Sequence, residues 1–189
     1  NRHCPKCQSL DKERWVEDRK QDLLPTRYFH IVFTLPDQLR PLALRNQQVV
    51  YDLLFRAASE TLKTLTQDPE HVGAEVGFIA VLHTWSQTLM DHPHLHCIVT
   101  GGGLSPEKDQ WIEPKTDFFL PVKVLSRLFR GKLLAYLKKT WQKGKMSFPG
   151  KVAYLQQEGS FNTFLSDLYS QEWVVYCKPP FSNAETVME

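Results

Sequence analysis

Three histidines within five residues, His92-Pro93-His94-Leu95-His96, are the densest group of metal-capable side chains in the sequence. In an extended strand, alternation puts His94 and His96 on one face and Leu95, Cys97 and Val99 on the other. Two imidazoles about 7 Å apart on one rigid strand can share a divalent ion. A pair of hydrogen-bonding surface histidines is the plain alternative; with seven His in 189 residues, three so close together favour ligation. His92 has the same parity, but Pro93 interrupts the run, so His92 is held as a neighbour that could also ligate. His83 ends the preceding apolar stretch and is a candidate third ligand or orienting group. A second group, Cys4-Pro5-Lys6-Cys7, has zinc-knuckle spacing but supplies only half of a four-ligand site. Cys97 and Cys177 fall in strand-like runs and complete it poorly. A redox pair would need a strand-to-helix setting that is missing here. A divalent ion beside the histidines could polarise a phosphodiester for attack, and a tyrosine nucleophile would conserve the bond as a covalent intermediate. None of Tyr28, Tyr51, Tyr136, Tyr154, Tyr169 and Tyr176 sits in a conspicuous nucleophile setting, and Tyr51 and Tyr136 read as core.

These residues need elements to hold them. Tyr28 to Leu35 alternates, with Phe29, Ile31, Phe33 and Leu35 on one face and Tyr28, His30, Val32 and Thr34 on the other. It reads as a strand closed by Pro36. From Asn46 to Thr66 the apolar residues recur at helical spacing. Strands are expected over Glu75–Thr84 and His94–Thr100, the latter ending in Gly101-Gly102-Gly103, and the short connection makes them an antiparallel hairpin. A second long helix covers about Lys123 to Gln142, with Leu125, Leu128, Phe129, Leu133, Tyr136 and Leu137 inward. A shorter helix lies around Asn162–Tyr169. Trp173–Cys177 is a last strand, and another helix begins near Asn183. With the minor helix set aside, the order is β-α-β-β-α-β: a ferredoxin-like antiparallel sheet, first and third strands central, helices on one face.

Composition narrows the function. With 42% hydrophobic and 12% aromatic residues and a net charge of +2, the chain is neither disordered nor membrane-spanning. The near-neutral total conceals a segregation. Between Phe118 and Gln157 there are nine Lys/Arg and no Asp or Glu, which leaves 14 basic and 21 acidic residues elsewhere, a charge of −7. A basic block in a nearly neutral protein points to a phosphate-rich partner. Arg127, Arg130, Lys138 and Lys139 lie off the buried stripe of the second long helix, and Lys178 follows the last strand.

His94-Leu95-His96 resembles the His-hydrophobic-His motif of HUH single-strand endonucleases. Several longer segments recur in the same order: His3–Gln8, Tyr28–Pro36, Val81–Trp85, His92–Ile98, Gly101–Gly103 and Val175–Phe181. Together they resemble the two-tyrosine HUH transposases of the insertion sequence 91 family, over essentially the whole chain. The resemblance implies an HUH fold and a divalent metal, Mg or Mn, on His94 and His96. It also implies a zinc-binding N-terminal region, here represented by Cys4 and Cys7. It implies a pair of tyrosine nucleophiles on a helix after the Lys178-Pro179-Pro180 run, hence expected beyond Glu189, and no tyrosine present is promoted to replace them.

The expected organisation is therefore a partial zinc-binding region over residues 1–25 and an HUH-type catalytic core over 26–189. The expected function is binding of single-stranded or hairpin DNA at the ends of a mobile element, with nicking and rejoining in the intact protein. A cytoplasmic, nucleoid-associated location in a bacterium follows from that reading. Two alternatives stay open. A non-covalent metal phosphodiesterase would need further acidic ligands, with only Asp91 nearby. A binding module without catalysis would leave the histidine pair unexplained.

Overall fold

The computed structural model describes residues 5–85, 91–114 and 120–178, with side chains from Leu10 onward. Strands β1 (Tyr28–Thr34), β2 (Glu75–Trp85), β3 (Asp91–Leu104) and β5 (Val175–Cys177) form an antiparallel sheet in the order β2-β3-β1-β5. The two-residue β4 (Trp111–Ile112) pairs with the end of β3. The first and third strands of the expected βαββαβ order are thus the central ones.

Alternation divides the sheet into two faces. Phe29, Ile31 and Phe33 of β1, Leu95, Cys97 and Val99 of β3 and Val175 of β5 enter the main core. Two long helices close that face: α3 (Gln47–Gln67), through Val50, Leu54, Ala57, Ala58 and Leu62, and α4 (Val122–Gln142), through Leu125, Phe129, Leu133 and Leu137. Phe129 packs on Phe33 at a ring separation of 4.9 Å. Burial of several such side chains, each contributing about 1.5–3 kcal/mol, fixes which face of β1 and β3 turns inward. The helix α5 (Glu158–Ser170) packs against α4 through Phe161, Leu165 and Leu168, after a 3-10 turn over Gly150–Gln156. Buried Asn46, between α2 (Arg40–Arg45) and α3, ties this layer together. Its amide donates to the carbonyls of Leu42 and Ser147 and accepts from the Ser147 N–H. On the α3–α4 seam, Glu60 accepts from the Tyr136 hydroxyl and pairs with Arg56 and Lys132.

Three expectations change. The polar N-terminal stretch is a helix, α1 (Pro5–Lys20), and it lies on the other face of the sheet, where Val16 packs with Tyr28 and Ile98. One apolar contact per few turns is too sparse to show as a periodic stripe. The helices of the βαββαβ core stay on one face, and α1, which precedes that core, lies on the other. Second, β3 does not stop at the glycines but runs through them to Leu104. A Cβ on Gly101 would lie 2.9 Å from the Arg27 carbonyl oxygen, and one on Gly103 would lie 2.3 Å from that of Glu75. The glycines let neighbouring backbones approach, as strand glycines often do. Third, Pro93 lies inside β3 at a register shift, because His83 pairs with His94 but Trp85 pairs with Asp91. A proline costs no ladder hydrogen bond at such a bulge. The helix expected near Asn183 lies outside the described residues.

Candidate metal centre

The face of the sheet turned away from the main core carries the histidines. The registers His83↔His94, Val81↔His96 and Val32↔His96 place β2, β3 and β1 side by side with their polar positions in line. One ring nitrogen from each of His83, His94 and His96 lies within 4.8 Å of the other two. His83 and His96 have ring centroids 4.4 Å apart, and His94 and His96 have theirs 4.9 Å apart. Backbone pairing sets the spacing of these rings, two on the central strand β3 and one on the edge strand β2.

Hydrogen bonds set which nitrogen is available. His94 Nδ1 is 2.6 Å from the His92 carbonyl oxygen. A carbonyl can only accept, so Nδ1 carries the proton and Nε2 keeps its lone pair. His96 Nδ1 is 2.7 Å from His30 Nε2, while His96 Nε2 is buried without a hydrogen-bond partner among the described residues. Burial, reinforced by the other imidazoles and by Lys178, pushes His96 down to about 3. Burial likewise lowers His30, His83 and His94, with Lys178 adding to it on His30, and His94 and Lys12 on His83; on His94 the hydrogen bond to the His92 carbonyl partly opposes the burial. All four are neutral near pH 7, the form that ligates metal.

Of the remaining sequence candidates, His92 is not in the triad; its ring turns to Asp37, Nδ1 being 3.6 Å from the carboxylate, and it meets the site through its carbonyl. Lys178 is on the histidine side, its charge acting on His30 and His96, and its backbone N–H donates to the His30 carbonyl just after β5. Arg127, Arg130, Lys138 and Lys139 are on α4, in the layer behind the opposite face. Arg127, Lys138 and Lys139 are exposed. Arg130 donates to the Gln171 carbonyl and sits 4.8 Å above the Tyr169 ring. Cys4 lies outside the described residues, and Cys7 falls on α1 where only the backbone is described. Cys97 and Cys177 flank Ile31 on the core face, and burial raises their thiols to about 12 and about 11, so both stay protonated.

His30 is the residue sequence reasoning passed over. Its polar parity on the first strand was visible, but its neighbour across the sheet depends on a register that alternation does not give.

The profile described as "Putative transposase" matches residues 77–189, and that of the transposase zinc-binding domain of insertion sequence 91 elements matches residues 1–35. The chain belongs to the insertion sequence 91 family of transposases. It is 53% identical, over all 189 residues, to "Putative transposase y4qJ" of Sinorhizobium fredii (strain NBRC 101917 / NGR234), covering 48% of that protein. It is 37% identical over 110 residues, 58% of this chain and 26% of the relative, to the transposase for insertion sequence element IS801 of Pseudomonas savastanoi pv. phaseolicola. The chain thus spans about half the length of the first relative and about a quarter of the second. Among solved structures, the metal-free conjugative relaxase TrwC in complex with OriT DNA is similar over 70% of this chain and 52% of the relaxase, with a TM-score of 0.47 and 16% identity.

In this transposase-family chain the residues present fit a divalent ion. Three neutral imidazoles converge, and one offers a buried nitrogen that no group among the described residues satisfies. No helix among the described residues is long and apolar enough to cross a membrane.

Proposed function

We propose that this chain is the metal-binding and DNA-holding part of a transposase that nicks and rejoins single-stranded DNA. The observation that carries this reading is the convergence of His83, His94 and His96 on the sheet face that the main core leaves free. These three would hold Mg²⁺ or Mn²⁺, which when bound supplies positive charge that polarises a phosphodiester. Lys178 and Lys12, whose charges are felt at the histidines, attract the phosphate backbone to the same place. Tyr176 pairs with Val32, which in turn pairs with His96, so Tyr176 is exposed on this face and offers a ring for base stacking. Arg127, Lys138 and Lys139 give a second basic surface, behind the sheet, for single-stranded or hairpin DNA at element ends.

The nucleophile is assigned to the tyrosine pair expected beyond Glu189. Tyr28 and Tyr136 are poor substitutes, since their hydroxyls are bound to Leu24 and to Glu60. Cys4 and Cys7 are assigned as two ligands of a zinc in the N-terminal region, residues 1–25, with 26–189 as the catalytic core. A cytoplasmic, nucleoid-associated location goes with this function. A non-covalent phosphodiesterase has less support: among the described residues no carboxylate joins the three imidazoles, and Asp37 is engaged by Arg40 and His92.

Calorimetric titration with Mn²⁺ tests the reading. One saturable event, lost in His94→Ala/His96→Ala with the circular dichroism spectrum retained, supports it. Binding indifferent to that double substitution moves the metal elsewhere. A covalent adduct between an oligonucleotide and any tyrosine of this chain overturns the assignment of the nucleophile.

A further inference from the structure

His30 is on the central strand β1, not on the strand that bears the His-hydrophobic-His motif. Its backbone is held on both sides, registered with Ile98 of β3 and accepting the Lys178 N–H next to β5. Its ring is nearly parallel to that of His96, with centroids 5.0 Å apart and an interplanar angle of 18°. His30 Nε2 lies 2.7 Å from His96 Nδ1. It is only 9% exposed, so water competes weakly for that contact.

A hydrogen bond between two neutral imidazoles has two possible directions. If His30 donates, His96 carries its own proton on Nε2, the buried nitrogen with no partner among the described residues, and that nitrogen is closed to a metal. If His96 donates from Nδ1, its Nε2 keeps a lone pair toward His83 and His94. Leaving a buried N–H without an acceptor is costly, so the second arrangement is favoured even before an ion binds.

We propose that His30 is a positioning residue that accepts a hydrogen bond from His96 Nδ1–H and thereby fixes His96 with Nε2 open to a divalent metal. It touches neither the metal nor the DNA; it acts through His96, as outer-shell partners of ligating histidines do. The His92 carbonyl does the same for His94, so each motif histidine has its own orienting acceptor, one from the backbone and one from a side chain. This inference rests on the reading of the histidines as a metal site, and the test separates the two.

The experiment compares wild type, His30→Ala and His30→Gln, whose amide oxygen can accept the same hydrogen bond. Melting temperature establishes that each variant is folded at the temperature used. The first readout needs no metal: ¹⁵N chemical shifts of the His96 ring in the metal-free protein. The expected result is the Nδ1–H form in wild type and in His30→Gln, and a mixture of both forms in His30→Ala. The second readout is Mn²⁺ affinity by calorimetry, with the visible absorption of bound Co²⁺ reporting ligand geometry. His30→Ala is expected to weaken Mn²⁺ binding about 10- to 100-fold, as removal of outer-shell partners commonly does, and His30→Gln to restore most of it. An Nε2–H form of His96 in wild type overturns the proposal. So does wild-type affinity in folded His30→Ala, or an equal loss in both variants. If wild type binds no Mn²⁺ while His96 is in the Nδ1–H form, the metal reading fails and the hydrogen bond direction stands on its own.

Discussion

The two sides of the sheet use polar side chains in opposite ways. On the histidine side, four imidazoles are turned toward one another, His30 buried and the other three partly so, and kept neutral by burial. On the α4 side, Arg127, Lys138 and Lys139 are exposed to solvent, while Arg130 and Lys132 are engaged by Gln171, Tyr169 and Glu60. The first arrangement suits a localised ion, because neutral imidazoles with fixed lone pairs are pre-organised ligands. The second suits an extended polyanion, because mobile exposed cations follow a phosphate backbone without fixing it. The second basic surface proposed for DNA is thus separated from the metal centre by the thickness of the sheet, with Lys12 and Lys178 among the cations on the metal side.

The largest effect that bears on this contrast is removal of the motif histidines. His94→Ala/His96→Ala is expected to lower Mn²⁺ affinity by more than about 100-fold, since a three-ligand site loses two ligands. Oligonucleotide binding measured by anisotropy in chelator is expected to change less than about threefold. Equal losses in both would mean that one surface serves both purposes.

A smaller effect concerns protons. Because the folded values of His30, His83, His94 and His96 are lowered, the unfolded chain binds more protons than the folded one once pH falls below about 6.5. Stability of the metal-free protein therefore decreases as pH falls. His96 alone is expected to account for on the order of 1–2 kcal/mol at pH 5. Thermal melts in chelator from pH 7 to pH 5 check this. The decline is expected to flatten in His96→Ala and to be offset by Mn²⁺. A decline unchanged in His96→Ala would place the titrating groups elsewhere.

How much of this was legible in the sequence follows from the kind of signal each feature leaves. Alternation in Tyr28–Thr34 and in the run after His94 gave the faces of β1 and β3, and the βαββαβ order gave the sheet. That His83 faces His94 required the register across a bulge at Pro93, and no periodicity encodes a bulge. His30 was hidden for the same reason: its partner His96 is 66 positions away and meets it only through β1–β3 pairing. The basic block was plain as a count, but the count does not say which side of the sheet it occupies. The buried stripe of α4 decides that, by turning Phe129 onto Phe33 on the face opposite the histidines. The helix α1 was missed because its described side chains bury only Val16.

Within the basic helix, the contrast can be sharpened residue by residue. Replacing Arg127 and Lys138 together with glutamine is expected to lower the slope of log affinity against log salt by about 1.4 for a single-stranded oligonucleotide, at roughly 0.7 per phosphate contact. Their melting temperature should stay put, because both are exposed and neither has a hydrogen-bond or ion-pair partner among the described residues. Arg130 makes the opposite prediction. Its guanidinium satisfies the Gln171 carbonyl and covers the Tyr169 ring, joining α4 to the segment that leads into β5. Arg130→Gln is therefore expected to cost about 1 kcal/mol of stability, read as a few degrees in a thermal melt, and to leave the salt slope alone. A salt slope that falls in Arg130→Gln as it does in the Arg127 and Lys138 variant would put this guanidinium on the phosphate backbone. The basic side of the sheet would then be a single binding surface, rather than exposed cations around a structural one.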